Sequence, residues 1–361
     1  MTPLRLRRAR TPPPVCSPVR DEVRFPDVLS ALLAGNDLDD ATTSSVMEQI
    51  MDGNATPAQV AGLLMALRMK GETGEEIAGL VRSMRSYALP VRVDGPLVDT
   101  CGTGGDRAGT FNVSTVSAIV VAGAGAKVAK HGNRAASGKC GSADLLEAWG
   151  VVIDLPPEGV ETCIEEVGIG FCFAPKFHPA MRHVAPARRE LGVPTVFNFL
   201  GPLTNPAGAS HQSIGVSDAS MAPKMADVLA RLGSTHALVF HGHDGLDELT
   251  TTGPSTIWEI RDGAVEQYQF DPADHGIARA TLADLRGGEV DVNLRIANQI
   301  LDGVEGAARD IVVVGAAAAL RAADHHDSWD AAIAAAKESI DSGSARRVRD
   351  EWVKLSSSLA V

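Results

Sequence analysis

Between residues 23 and 89 the apolar positions recur at helical spacing in four successive blocks. Phe25, Val28, Leu29, Leu32 and Leu33 form the first stripe, and Val46, Ile50 and Met51 the second. Val60, Leu63, Leu64 and Leu67 make the third, and Ile77, Leu80, Val81 and Met84 the fourth. Thr42 is expected to open the second helix and Gly53 to follow it. The third and fourth have sharper starts. Thr56-Pro57-Ala58-Gln59 and Thr73-Gly74-Glu75-Glu76 each set a Thr three residues before a Gln or Glu that can bond back to the Thr N–H. Pro57 suits the first helical position, while Gly71 and Pro90 stop the runs. Residues 23–90 therefore read as a small all-helical domain, which helices near 175–190 could complete.

From residue 91 the pattern changes. Short apolar stretches at Leu97–Cys101, Lys127–Lys130, Val151–Asp154, Gly170–Ala174, Thr195–Phe197 and Ala237–Phe240 alternate with helical patterns. One such helix carries Met221, Met225, Val228, Leu229 and Leu232, with Gly233 as its stop. Strands interleaved with helices predict a mostly parallel sheet covered on both faces. Thr256–Ile260, the Asp262-Gly263 turn and Ala264–Phe270 predict a hairpin at a sheet edge. The chain beyond Asn293 reads as helical except for a strand at Ile311–Val314. The expected fold class is thus α/β, with a helical domain at 23–90 and a large α/β domain with a mostly parallel central sheet over 91–361. Residues 1–22, with Arg5, Arg7, Arg8, Arg10, Arg20 and three consecutive prolines, read as a disordered tail.

Composition narrows the function. The 33 Lys and Arg against 45 Asp and Glu give a net charge of −12, the wrong sign for a general nucleic-acid binder, and aromatics at 4% offer few stacking platforms. Ten apolar residues, Ile311 to Leu320, are the longest such run, too few to cross a membrane. The five cysteines contain no C-x-x-C pair and fit a reducing, cytoplasmic setting. The 36 glycines are about a tenth of the chain, above the usual ~7%.

That excess concentrates where a strand hands over to a helix. Asp99-Thr100-Cys101-Gly102-Thr103-Gly104-Gly105-Asp106 runs on to Thr110-Phe111-Asn112-Val113-Ser114-Thr115, with a helix expected from about Ser114. Such a loop turns several N–H groups into one concavity beside the positive end of a helix dipole, a natural anion site. It is not a dinucleotide fingerprint, which fails at Arg107, and the later Gly132–Cys140 stretch is not a Walker A loop, having one residue too many and ending in Cys. A second cradle is Lys130-His131-Gly132-Asn133-Arg134, continuing to Ser142 ahead of the helix Ala143–Trp149. A third segment, His241 to Glu248, brings the adjacent carboxylates Asp247 and Glu248, suited to a hard cation such as Mg²⁺. An acidic pair alone is most often solvated surface. Three loops at the carboxyl ends of parallel strands, however, converge on one crevice.

Taken together, GTGGD at Gly102–Asp106, KHGNR at Lys130–Arg134, FNFLGPLTNP at Phe197–Pro206 and GLDE at Gly245–Glu248 resemble the anthranilate phosphoribosyltransferases, from about residue 24 onward. The resemblance implies transfer of the phosphoribosyl group of 5-phosphoribosyl 1-diphosphate to anthranilate, with two Mg²⁺ per monomer, and a homodimer formed through the helical domain. It implies that Gly102, Gly105, Asp106, Thr110, Asn112, Val113, Ser114, Thr115, Lys130, His131, Gly132, Asn133, Arg134, Ala135, Ala136, Ser137, Gly138 and Ser142 surround the sugar donor. Ser114, Asp247 and Glu248 would hold the metal. Gly102, His131, Asn133, His178, Arg188 and Pro202 would hold anthranilate or line its path. No acid or base residue is implied. Arg107, Gly138, Cys140 and Gly315 depart from the family's usual residues. Pyrimidine nucleoside phosphorylases share the expected fold but usually carry a further C-terminal domain. A hydrolase built on His241-x-His243 is the weaker alternative.

Overall fold

The computed structural model describes residues 23–135 and 139–360, so the tail expectation and positions Ala136, Ser137 and Gly138 lie outside the described residues. Four helices come first, α1 (Phe25–Leu33), α2 (Asp40–Met51), α3 (Pro57–Lys70) and α4 (Gly74–Ser86). Both capping boxes form, Thr56 with Gln59 and Thr73 with Glu76. The second helix begins earlier than expected. Asp39, not Thr42, is its cap, and its carboxylate accepts the Thr42 N–H.

The α/β part follows as β1 (Val98–Gly102), α5 (Val113–Gly123), β2 (Val128–Gly132), α6 (Ser142–Trp149), α7 (Pro157–Val167) and β3 (Ile169–Phe173). Short helices α8 (Ala174–Phe177), α9 (Ala185–Leu191) and α10 (Phe197–Leu203) lead to β4 (His211–Gly215), α11 (Ala222–Arg231) and β5 (His236–Gly242). The hairpin β6 (Ser255–Arg261) and β7 (Ala264–Phe270) closes the sheet. Helices α12 (Val290–Leu301), α13 (Ala307–Ala322), α14 (Trp329–Asp341) and α15 (Ser344–Leu359) complete the chain. The sheet runs β3-β2-β1-β4-β5-β6-β7, parallel through β5 and antiparallel at the hairpin, whose outer strand is the edge.

Three expected strands are absent, and one strand was unexpected. Ile311–Val314 belongs to α13, buried almost throughout; a fully buried helix shows the same unbroken apolar run as a buried strand. Val151–Asp154 and Thr195–Phe197 join no ladder, the latter leading directly into α10. The missed strand β4 is hidden because its first three residues are polar yet buried. His211 Nδ1 lies 2.7 Å from the Ala322 carbonyl, and Gln212 Nε2 donates to the Pro202 carbonyl at 2.8 Å.

Two apolar cores lie on opposite faces of the sheet. Leu238 and Phe240 of β5 join α5, α6, α7 and the C-terminal helices, while Ala237 and Val239 join α1–α4 and α9–α11. The four-helix module therefore shares its core with one face of the sheet. Ala180, Val184 and Ala187 are buried in that same core, and α9 packs on α3. After β1 the chain builds β2 and β3 on one side, then returns to add β4 and β5 on the other. The β1/β4 seam is thus the topological switch point, where connections diverge and leave a crevice at the strands' carboxyl ends.

Candidate active site

Gly102 ends β1 and is paired in register with Gly215, which ends β4. Neither strand carries a side chain there, and the loop after β5 fills the gap. A Cβ on Gly102 would lie 2.2 Å from Asp247 Oδ2, and one on Gly215 would lie 1.7 Å from the Asp247 carbonyl oxygen. Asp247 therefore sits in the seam between the two strands. Its carboxylate accepts the Gly104 N–H at 2.7 Å, which ties the glycine loop to the acidic loop. Gly104 and Gly105 take φ of 67° and 85°, backbone that favours glycine, and Arg107 takes 59°, which accounts for the usual glycine there.

The loop after β4 forms a further wall. Ser217 Oγ donates to the Gly104 carbonyl at 2.7 Å, and its N–H donates to Thr103 Oγ1 at 3.1 Å. Gly215 and Ser217 line this crevice without any sequence signal, since one ends and the other follows a strand with no apolar run. A cleft of about 480 Å³ opens here, bounded by Gly104, Gly105, Ser217 and His241 on the sheet side and by Arg68 and Phe199 on the helical side.

The carboxylates in this crevice repel one another. Burial and the nearby Asp106 push Asp247 up to about 7, and burial together with Asp247 pushes Glu248 well above its ordinary value. Asp106 Oδ2 is itself buried without a partner among the described residues. Against that upward push, the backbone of Ser114 at the start of α5 favours the charged form of Glu248, which puts the two near one another. Lys130, fully buried, donates to the Thr100 carbonyl at 2.6 Å and lies 3.5 Å from Ser114 Oγ. Among the described residues no three His, Cys, Asp or Glu side chains form a ready-made metal cage. Mg²⁺ does not need one, because it usually takes one or two carboxylates plus phosphate oxygens and water. Mutually repelling carboxylates with an orphaned oxygen are a donor set that fits it. The His241-x-His243 alternative finds no such set, since His241 Nδ1 faces the Val216 carbonyl and His243 reaches Thr256.

The remaining expected residues divide. Thr110 and Phe111 pair with the Leu285–Gly287 segment, and Asn112 precedes the first turn of α5 (Val113, Ser114, Thr115). Gly132 lies against Phe171 and Ser142, where a Cβ would be 2.8 Å from the ring. Asn133 is exposed and accepts the Arg134 N–H. Arg134 lies not free in the cleft but against α6, where Nη1 bonds Asp144 at 2.9 Å and Nη2 bonds Glu147 at 2.9 Å. Asp144 also accepts the N–H groups of Ala135 and Gly141. Gly315 has a packing reason, because a Cβ there would be 2.9 Å from Ser117 Oγ on α5.

On the helical side, the His131 and His178 rings lie 5.1 Å apart, tilted by 52°, and His131 Nδ1 lies 3.1 Å from the Gly201 carbonyl, next to Pro202. Burial pushes His131 down to about 3 and His178 to about 4, so both rings are neutral at pH 7, each with an unpartnered Nε2. Unfolded histidines titrate near ~6.5, so the unfolded chain binds more protons between ~4 and ~6.5. Stability accordingly falls as pH drops through that window. A His178→Asn variant is expected to show a shallower loss of Tm between about pH 7 and pH 5 than the parent. Equal slopes would contradict the burial of a neutral ring. Arg188 on α9 is half-buried, lies 5.5 Å over the Phe197 ring and makes no ion pair among the described residues. Burial lowers its affinity for a proton, a cost that an anionic ligand would offset.

Residues 26–88 match the family model described as "Glycosyl transferase family, helical bundle domain", and residues 94–346 match "Glycosyl transferase family, a/b domain". The chain belongs to this glycosyl transferase family. It is 52% identical over 342 residues to anthranilate phosphoribosyltransferase of Roseiflexus castenholzii, covering 94% of this chain and 99% of that protein. It is 54% identical over 337 residues to the Arthrobacter enzyme, covering 92% and 96%. The Thermus thermophilus enzyme superposes with a TM-score of 0.87 at 45% identity over 92% of this chain and 99% of the other. The Saccharomyces cerevisiae enzyme, in complex with PRPP and Mg, gives 0.85 at 29% identity over 92% and 98%. Within the wider family, the chain is a member of the anthranilate phosphoribosyltransferases.

Proposed function

We propose that the crevice at the β1/β4 switch point carries out the following chemistry. The enzyme transfers the phosphoribosyl group of 5-phosphoribosyl 1-diphosphate to anthranilate, giving N-(5-phosphoribosyl)anthranilate and pyrophosphate, a step of tryptophan biosynthesis. The observation that carries the reading is the register pair Gly102–Gly215 with Asp247 seated in the gap and bonded to Gly104. It joins a glycine-rich anion cradle to the acidic pair at one point.

The N–H groups of Gly105 and Asp106 in the glycine loop, beside the positive end of α5 and with Lys130 nearby, would bind the donor's phosphates. Ser114, Asp247 and Glu248 would hold two Mg²⁺, which when bound neutralise the diphosphate and improve it as a leaving group. As the C1′–O bond breaks, positive charge develops on the ribose, and the carboxylates of Asp106 and Asp247 stand ready to stabilise it. The aromatic amine of anthranilate is neutral at pH 7 and attacks without a general base. This agrees with a pair of histidines held neutral rather than poised to exchange protons. Arg188 is suited to a forked bond with the anthranilate carboxylate. Proximity and electrostatics then supply the rate enhancement.

We expect Arg188→Ala to raise KM for anthranilate about thirtyfold or more while changing KM for the sugar donor less than about threefold. Steady-state kinetics with each substrate varied check this, and the reverse ordering contradicts the assignment. The reading as a whole is tested by mixing purified protein with anthranilate, phosphoribosyl diphosphate and Mg²⁺ and following loss of anthranilate fluorescence. Persisting fluorescence, with phosphorolysis of thymidine in its place, would favour the nucleoside phosphorylase alternative.

A homodimer through the helical module is supported by Leu33 of α1 and Met69 of α3, each 81% exposed on that module. Cys101, Cys140, Cys163 and Cys172 are free thiols, which supports a cytoplasmic setting.

A further inference from the structure

Two segments that the proposed function assigns to the sugar donor meet through a pair of side-chain amides. Asn112, immediately before α5, donates through Nδ2 to the Cys140 carbonyl at 3.0 Å, at the end of the second cradle. Its Oδ1 accepts from Nδ2 of Asn293 on α12 at 2.9 Å. Asn293 Oδ1 in turn accepts the Gly288 N–H at 2.7 Å. The two ends of this relay are backbone groups whose sense cannot be reversed, an N–H at Gly288 and a C=O at Cys140. Each amide can therefore satisfy both neighbours in one orientation only. Asn293 is 2% exposed, so an amide facing the wrong way would leave buried groups unpaired.

The same stretch of chain that supplies Gly288 also backs the first cradle. Phe111 donates its N–H to the Leu285 carbonyl, and Gly287 donates to the Gly109 carbonyl at 2.9 Å. Space there is tight, since a Cβ on Gly287 would lie 2.7 Å from both Phe111 Cα and Asn293 Oδ1. Segment 285–288, the turn before α5 and the end of the second cradle are thus held together, with Asn293 as the shared post. Both side-chain ends of Asn112 are occupied by protein, so this residue spaces the two cradles and offers the donor its backbone.

We propose that Asn293 is a positioning residue for the sugar donor. By fixing Asn112, it sets the spacing between the Gly109–Thr115 segment and Cys140, at the approach to α6. The inference rests on the donor site proposed above.

The test is Asn293→Asp. The carboxylate keeps the shape and still accepts the Gly288 N–H, but it presents a second acceptor to Asn112 Oδ1 and breaks the relay. KM for phosphoribosyl diphosphate is expected to rise about tenfold at pH 8, with KM for anthranilate changing less than about twofold. A protonated Asp can donate, and burial raises the pH at which it does so. The donor-KM ratio to the parent should therefore fall back toward one between about pH 8 and about pH 5.5. Cys140, Asp144 and the Lys139–Glu289 ion pair lie beside the relay and are the same in every variant, so the comparison is made as a ratio to the parent at each pH. Asn293→Ala should show the same rise with no recovery on acidification, and Asn293→Ser serves if either variant fails to fold. Equal rises in both KM values that track a loss of Tm, or no pH recovery in the Asp variant, would overturn the proposal. A parent that does not consume anthranilate at all would instead overturn the proposed function.

Discussion

Replacing Asp247 and Glu248 together with alanine lowers kcat/KM by about a thousandfold or more at saturating Mg²⁺. The expectation follows from the electrostatics of the seam. Asp247 is raised to about 7 by burial and by Asp106, and Glu248 is raised well above its ordinary value by burial and by Asp247, so the fold holds these groups against burial and their own repulsion. A carboxylate with a raised folded pKa costs stability as pH climbs from its unfolded value through its folded one, here from ~4 to about 7. Alanine at both positions removes that cost. The double variant should therefore lose activity while its Tm at pH 8, without Mg²⁺, equals or exceeds the parent's. Added Mg²⁺ with pyrophosphate should raise the parent's Tm and leave the variant's unchanged. Undiminished turnover would refute the role assigned to the pair.

Gly215→Ala is expected to be nearly as damaging, although Gly215 belongs to none of the recognisable motifs. Its Cβ would meet the Asp247 carbonyl oxygen at 1.7 Å and the carbonyl carbon at 2.4 Å, both backbone atoms that no rotamer change can move aside. The acidic loop must then shift outward, and a displacement of about 1 Å at a positioned group commonly costs about a hundredfold in rate. We expect kcat to fall by at least that factor while the far-ultraviolet circular dichroism stays native. Gly253→Ala is the control, because its Cβ would meet nothing within 4 Å and its backbone needs no positive φ. Equal kcat in the two variants would mean that the seam does not position Asp247.

The helical module was legible because its signals are local. Caps, glycine stops and apolar stripes specify α1 to α4 without reference to the rest of the chain. The parallel sheet was legible as a class, but β4 was not, since its inward residues are polar groups that find carbonyl partners from distant segments. Losing β4 hid Gly215 and Ser217, and with them the reason Gly102 must be glycine. From the motif alone Gly102 is expected beside the sugar donor and anthranilate; in the fold it also makes room for Asp247. Arg134, in a basic motif, bonds to α6 through contacts set by the fold rather than by its neighbours in sequence. Asn293, some 180 residues beyond Asn112, carries no motif at all and becomes visible only through the hydrogen bonds it completes.

If one crevice at the β1/β4 seam binds the sugar diphosphate through Mg²⁺ held by the acidic loop, binding must need both the metal and the two carboxylates. Calorimetric titration of phosphoribosyl diphosphate into the protein, with and without Mg²⁺, and again into Asp247→Asn/Glu248→Gln, measures both requirements. Mg²⁺-dependent binding is expected in the parent and its loss in the variant. Binding of equal strength without the metal, or undiminished in the variant, would contradict this mode of binding.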